Sequence, residues 1–124
     1  MHKKNWFLLI LLLWLVCITA LSLISINNFS KVTVKGGDNY VHFCFYFVLT
    51  ILLVLNLIDR FNLKKGILIS IVLAVFYGMI IEVLQGILTS NREPEIKDVL
   101  FNSLGSLTAA FLLFLSRERL NFLK

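Results

Sequence analysis

The sequence predicts an all-α membrane protein of four transmembrane helices with both termini cytoplasmic, and three observations lead there. Hydrophobic residues make up 59% of the 124-residue chain and charged residues only 15%, more apolar material than a soluble core of this size can use. The apolar residues fall into four runs, each able to supply the about 20 helical residues that cross a hydrocarbon layer of about 30 Å. Basic residues are divided unequally between alternate loops and tails, which is the pattern that orients a chain in a membrane.

Residues 5–30 carry no charge and predict a first span over about residues 6–26. Lys3 and Lys4 precede it as they would a secretory signal. The run is longer than the about 7 to 15 apolar residues of a signal core, and no small-x-small cleavage pattern follows, so a retained helix is expected. Cys17 follows the bulky Val16, which argues against lipoprotein processing; a buried thiol is the expectation. Trp6, Trp14 and the phenylalanines suit lipid-facing and interfacial positions.

The second span is expected over about residues 40–58, within the charge-free stretch 39–58. The third, over about 66–88, contains Glu82 as its only charge. The fourth, over about 98–116, opens at Asp98, a residue type that caps helix N-termini and whose charge suits the helix dipole. Repeats, low-complexity tracts and a linker are absent from the sequence, so one four-helix domain over residues 1–124 is expected.

Orientation follows from the basic residues. Lys3, Lys4, Arg60, Lys64, Lys65, Arg117, Arg119 and Lys124 fall on one side, against Lys31, Lys35, Arg92 and Lys97 on the other. The richer side is expected to be cytoplasmic. Residues 59–65 then form the inner loop, and residues 27–38 and 89–97 the outer loops. The net charge of +5 is dispersed over these loops instead of forming one stripe, so no nucleic-acid partner is expected. Gly36-Gly37 lacks the context of a phosphate loop and reads as a turn. Cys17 and Cys44 fall in different spans without metal spacing.

Ionisable residues in a span are costly in lipid and usually face a bundle interior and serve a site. Asp38 and His42, at i and i+4, share a helix face with Tyr46. Glu82 and Gln85 share a face with Ala74, Gly78 and Gly86, small residues that let a neighbouring helix approach. Asp98 and Asn102 share one with Gly105, Ser106 and Ala109. The expected topology sends all of these, with Arg92, to the outer end of the bundle, so a single polar cluster at one membrane face is expected. The plainer alternatives are interhelical hydrogen bonding for Glu82 and Gln85, and a cap with an interfacial histidine for Asp38 and His42. His42, Asp38, Glu82 and Asp98 are acceptable metal-ligand types, but no paired His or Cys spacing supports a site, so no metal and no cofactor is expected. Ser103 or Ser106 as a nucleophile has no supporting local motif.

The pattern Asp38-x-x-x-His42-Phe43-x-x-Tyr46, then Glu82-x-x-Gln85, Arg92 and Asp98-x-x-x-Asn102-x-x-Gly105, resembles the VanZ-like family of bacterial membrane proteins. Two positions depart from the usual family pattern: Asn39 stands where a lysine is common, and Ala109 where a second glycine often occurs. The resemblance implies a multi-pass protein of the bacterial cytoplasmic membrane, with a role linked to glycopeptide resistance, chiefly to teicoplanin.

The residues and the resemblance together lead to a non-enzymatic envelope protein whose outer-face pocket binds or shields a cell-wall or lipid-derived ligand. Arg92 would fork a phosphate or carboxylate, Glu82, Gln85 and Asn102 would fix the ligand by hydrogen bonds, and His42 would be the pH-sensitive member. Membrane lipids, a cell-wall precursor or a glycopeptide, and a second copy of the chain are the expected partners. Two alternatives stay open: a small membrane enzyme acting on a lipid or cell-wall precursor head group, with Glu82 or Asp38 and His42 as acid and base, and a structural subunit of a larger membrane complex.

Overall fold

The structure, a computed structural model, describes residues 3–24, 37–58, 60–88 and 96–116. All of the regular structure among them is α-helical: α1 (Lys3–Ile24), α2 (Gly37–Leu57), α3 (Leu63–Leu88) and α4 (Ile96–Leu115). Each helix contains a stretch apolar and long enough to cross a membrane. The shortest has 20 residues, which at ~1.5 Å per residue matches a hydrocarbon layer of ~30 Å.

The outer surface of the bundle is apolar and several polar side chains are held inside it, unlike the pattern of a water-soluble bundle. Phe76, Val83 and Ile87 of α3 and Leu100, Leu107 and Phe111 of α4 are exposed, while His42, Thr50, Ser70, Glu82, Asp98, Asn102 and Ser106 are buried. In water this arrangement would waste the hydrophobic effect. In lipid an exposed leucine costs nothing, and it is the polar groups that need shelter.

Helix α2 is central. It packs most extensively on α4, then on α3 and α1, and α4 also packs on α3. The close fit of α2 and α4 depends on Gly105: a Cβ there would overlap the Phe43 carbonyl oxygen and come within 3.1 Å of the Phe47 backbone nitrogen. A small residue at the crossing brings the two backbones together and gains dispersion contacts, the main driving force for helix association where the hydrophobic effect is absent. Toward the end where α2 runs into α3, Val54, Ile58, Leu63, Ile67, Ala110 and Leu113 form an apolar plug. A second apolar cluster, including Leu11, Ile18, Leu49, Leu52 and Ala74, joins α1 to α2 and α3.

Between α2 and α3 the chain turns within a few residues. Asn62 caps α3, its Oδ1 accepting from the Lys65 backbone N–H at 2.8 Å, which satisfies one of the donors a helix start leaves open. The Lys65 ammonium lies 5.3 Å from the centre of the Phe61 ring.

Three expectations need correction. Trp14 is half-buried, its indole N–H donating to the Phe45 carbonyl at 3.0 Å and its ring edge-on to Phe45, because a lone N–H donor cannot be left unpaired in lipid. Cys17 and Cys44 are exposed on the surface of the bundle. Asp98 lies in the first turn of α4 and not at its cap, since helical structure begins by Ile96.

Candidate functional site

α2 and α4 begin, and α3 ends, at the same end of the bundle, so residues early in α2 and α4 meet residues late in α3. Spacing at i, i+4 puts His42, Tyr46 and Thr50 on one face of α2, and Asp98, Asn102 and Ser106 on one face of α4. On α3 the same spacing joins Ser70, Ala74, Gly78 and Glu82. All of these are buried.

The outermost level is a contact between a histidine and a carboxylate: His42 Nε2 lies 3.9 Å from Asp98 Oδ2, and both side chains are at most 5% exposed. That distance allows attraction between an imidazolium and a carboxylate but is too long for a hydrogen bond. At such burial the attraction is poorly screened.

The next level is organised by Gly78. A Cβ added there would come within 2.8 Å of Asn102 Nδ2 and 3.3 Å of Tyr46 Cε1, so the amide and the phenol ring lie against the bare α3 backbone. One turn further along α3, Glu82 is 4% exposed and lies within electrostatic range of Tyr46, as does Tyr77. Measured from Leu88, where described α3 ends, Glu82 sits ~9 Å deep at ~1.5 Å per residue.

Two of these groups have spare bonding capacity. The Tyr46 hydroxyl and Asn102 Oδ1 are buried and have no hydrogen-bond partner among the described residues. Deeper in the bundle the same is true of the hydroxyls of Thr50, Ser70 and Ser106. Buried polar atoms of this kind are normally satisfied by water or a ligand. Ser103 differs: its hydroxyl donates to the Val99 carbonyl at 2.9 Å within its own helix.

The structure thus brings together His42, Tyr46, Glu82, Asp98 and Asn102. Asp38 and Gln85 fall within α2 and α3, but their side chains lie outside the described residues, as does the whole of Arg92. Among the described residues no group of three or more His, Cys, Asp or Glu side chains is placed to hold a metal ion.

Sequence reasoning missed the contribution of α1. The Tyr77 hydroxyl and Thr19 Oγ1 are hydrogen-bonded to each other, Thr19 donates to the Leu15 carbonyl at 2.8 Å, and Tyr77 reaches the same carbonyl at 3.3 Å. This knot ties α1 to α3 beside Tyr46. The available signal was Thr19, with Ser22 the only other hydroxyl of α1, and it is weak.

Fold and site together define a small multi-pass membrane protein whose polar residues gather inside one end of a four-helix bundle. Within that class the sequence assigns the family: the family described as VanZ/LLP1 matches residues 5–117, a stretch that includes nearly all of the four helices. The chain belongs to this VanZ-like family. No curated protein and no solved structure matches it.

Proposed function

We propose that this VanZ-like protein works in the bacterial cytoplasmic membrane with both termini cytoplasmic, and that its polar cluster is an outer-face pocket binding or shielding an anionic or amide-rich ligand derived from the cell wall or from lipid. The observation that carries this reading is the spare capacity of buried groups at the meeting of three helices, the Tyr46 hydroxyl and Asn102 Oδ1. Evolutionary cost aside, an apolar residue would serve packing better than a phenol or amide held dry without a partner. Asp38, Gln85 and Arg92 complete the proposed pocket, Arg92 as the fork for phosphate or carboxylate. Resistance to a lipophilic glycopeptide such as teicoplanin is the phenotype that the family resemblance favours.

The buried His42–Asp98 contact favours a second reading, a membrane enzyme acting on a lipid or cell-wall precursor head group, since a carboxylate beside an imidazole is a usual acid–base arrangement. Release of product from such a precursor by the purified protein, lost in His42→Gln, would select this reading over binding alone.

Glu82→Gln tests the site itself. The amide keeps the shape and hydrogen-bonding capacity but not the charge, so the variant is expected to insert at normal abundance and thermal stability yet lose glycopeptide resistance. Full resistance at normal abundance would reduce Glu82 to interhelical hydrogen bonding, worth roughly 1 kcal/mol per bond in a membrane.

A further inference from the structure

At the other end of the bundle, where α2 turns into α3, lies a groove that the polar cluster does not use. It has a volume of about 450 Å³ and mostly apolar walls, among them Leu8 and Leu11 of α1, Leu53 of α2 and Leu73 of α3. That volume is in the range of small-molecule sites, about 300–1,000 Å³. Its polar margin includes Asn56 and Arg60.

The groove is built into the fold. The Asn56 amide donates to the Phe7 carbonyl at 3.1 Å and to the Leu52 carbonyl at 2.7 Å, fixing α1 against α2 where the groove forms. Arg60 is exposed and follows the membrane-crossing stretch Tyr40–Leu57 by three residues. Its guanidinium therefore belongs to the interfacial layer, where lipid phosphates lie. Lys64 and Lys65 follow in the first turn of α3, opposed within residues 59–65 only by Asp59, which is outside the described residues. Lys65 is engaged over Phe61.

An apolar trough with a guanidinium at its margin complements a molecule that has an apolar chain and an anionic head group. We infer that the groove between α1, α2 and α3 is a binding site for an anionic phospholipid, one acyl chain lying along Leu8, Leu11, Leu53 and Leu73 and the phosphate engaged by Arg60. Guanidinium makes paired, charge-assisted bonds to phosphate oxygens. The chain contributes specificity through volume, the head group through charge.

The site is separate from Glu82 and its neighbours, so its test is independent of the proposed function. The full-length protein, extracted in a neutral detergent, is titrated with phosphatidylglycerol and with phosphatidylcholine of the same acyl chains, and bound lipid is counted by native mass spectrometry. The parent protein should retain one phosphatidylglycerol in preference to phosphatidylcholine, and inorganic phosphate should not displace it. Arg60→Gln should weaken that preference by about tenfold or more, as expected for loss of a charge-assisted contact. Lys64→Gln, which removes another exposed charge that does not line the groove, should not. Leu73→Trp should exclude both lipids by filling the trough.

Equal retention of the two lipids by the parent, equal loss in Arg60→Gln and Lys64→Gln, displacement by free phosphate, or unaltered binding in a folded Leu73→Trp would each overturn the inference. So would a second copy of the chain retained in place of lipid. If Leu73→Trp does not fold, the comparison of Arg60→Gln with Lys64→Gln decides alone.

Discussion

At Gly78 the missing side chain is what lets Asn102 and Tyr46 occupy one level of the bundle. Gly78→Ala should therefore act on the site and on stability together, because the added methyl must displace either a short amide side chain or a ring held at zero exposure. Overpacking of this kind costs about 1–3 kcal/mol, read as a lower unfolding temperature in detergent micelles. Gly66→Ala is the matched control: its Cβ would meet the nearest side chain, Leu57, at an ordinary 3.9 Å, and stability should hold. Equal effects of the two substitutions would mean that Gly78 matters only as a helix glycine. The ionisable members of the cluster were legible in the sequence because a histidine or a carboxylate among leucines stands out as a cost that needs a reason. Tyr77 and Thr19 were not, since each is ordinary in an apolar helix and their contact joins residues 58 positions apart. Cys17 shows a different limit. Its placement in an apolar run cannot distinguish the interior of the bundle from its lipid surface, because both are apolar.

Among the elements, the four helices were legible because each apolar run is long and uninterrupted by charge, apart from the one carboxylate of Glu82. How they pack was less so, since helix pairing in lipid is decided by small residues and hydrogen bonds that leave no periodic signature. Gly105→Ala should separate α2 from α4, the added methyl meeting the Phe43 carbonyl, backbone that cannot rotate away. A loss of stability larger than in Gly78→Ala is expected, checked by the same thermal unfolding. Tyr77→Phe is the complementary test of α1. Removing the hydroxyl breaks the tie to Thr19 and Leu15 and should cost roughly 1 kcal/mol, the usual worth of a hydrogen bond between membrane helices. A double-mutant cycle with Thr19→Val should then give a coupling that accounts for the share of the effect not carried by the Leu15 carbonyl. Additive losses would show that the Tyr77 hydroxyl acts through the Leu15 carbonyl and not through Thr19.

For the whole molecule the proposed orientation rests on the unequal division of basic residues, and it can be tested directly. In a Cys17→Ser, Cys44→Ser background, single cysteines at Ser30 and Ser90 should react with an impermeant thiol reagent in intact cells, and Lys64→Cys should not. Lys64 is the better inner probe than Asn62, which caps α3. The native cysteines are replaced at little expected cost because both lie on the surface of the bundle. Labelling of Lys64→Cys alone would invert the protein and place the polar cluster at the cytoplasmic end.

The backbone contact at Gly105 also has a mechanical meaning. One turn deeper than Asn102, it holds the α2 and α4 backbones close together, so His42, Tyr46, Asp98 and Asn102 sit on one closely packed helix pair. α3 meets that pair through the open seat of Gly78, and Glu82 is the polar member of the cluster that stands on the other side of the seam. If the proposed pocket takes a ligand between these levels, the expected movement is of α3 away from the α2–α4 pair, with the Glu82 carboxylate carried along.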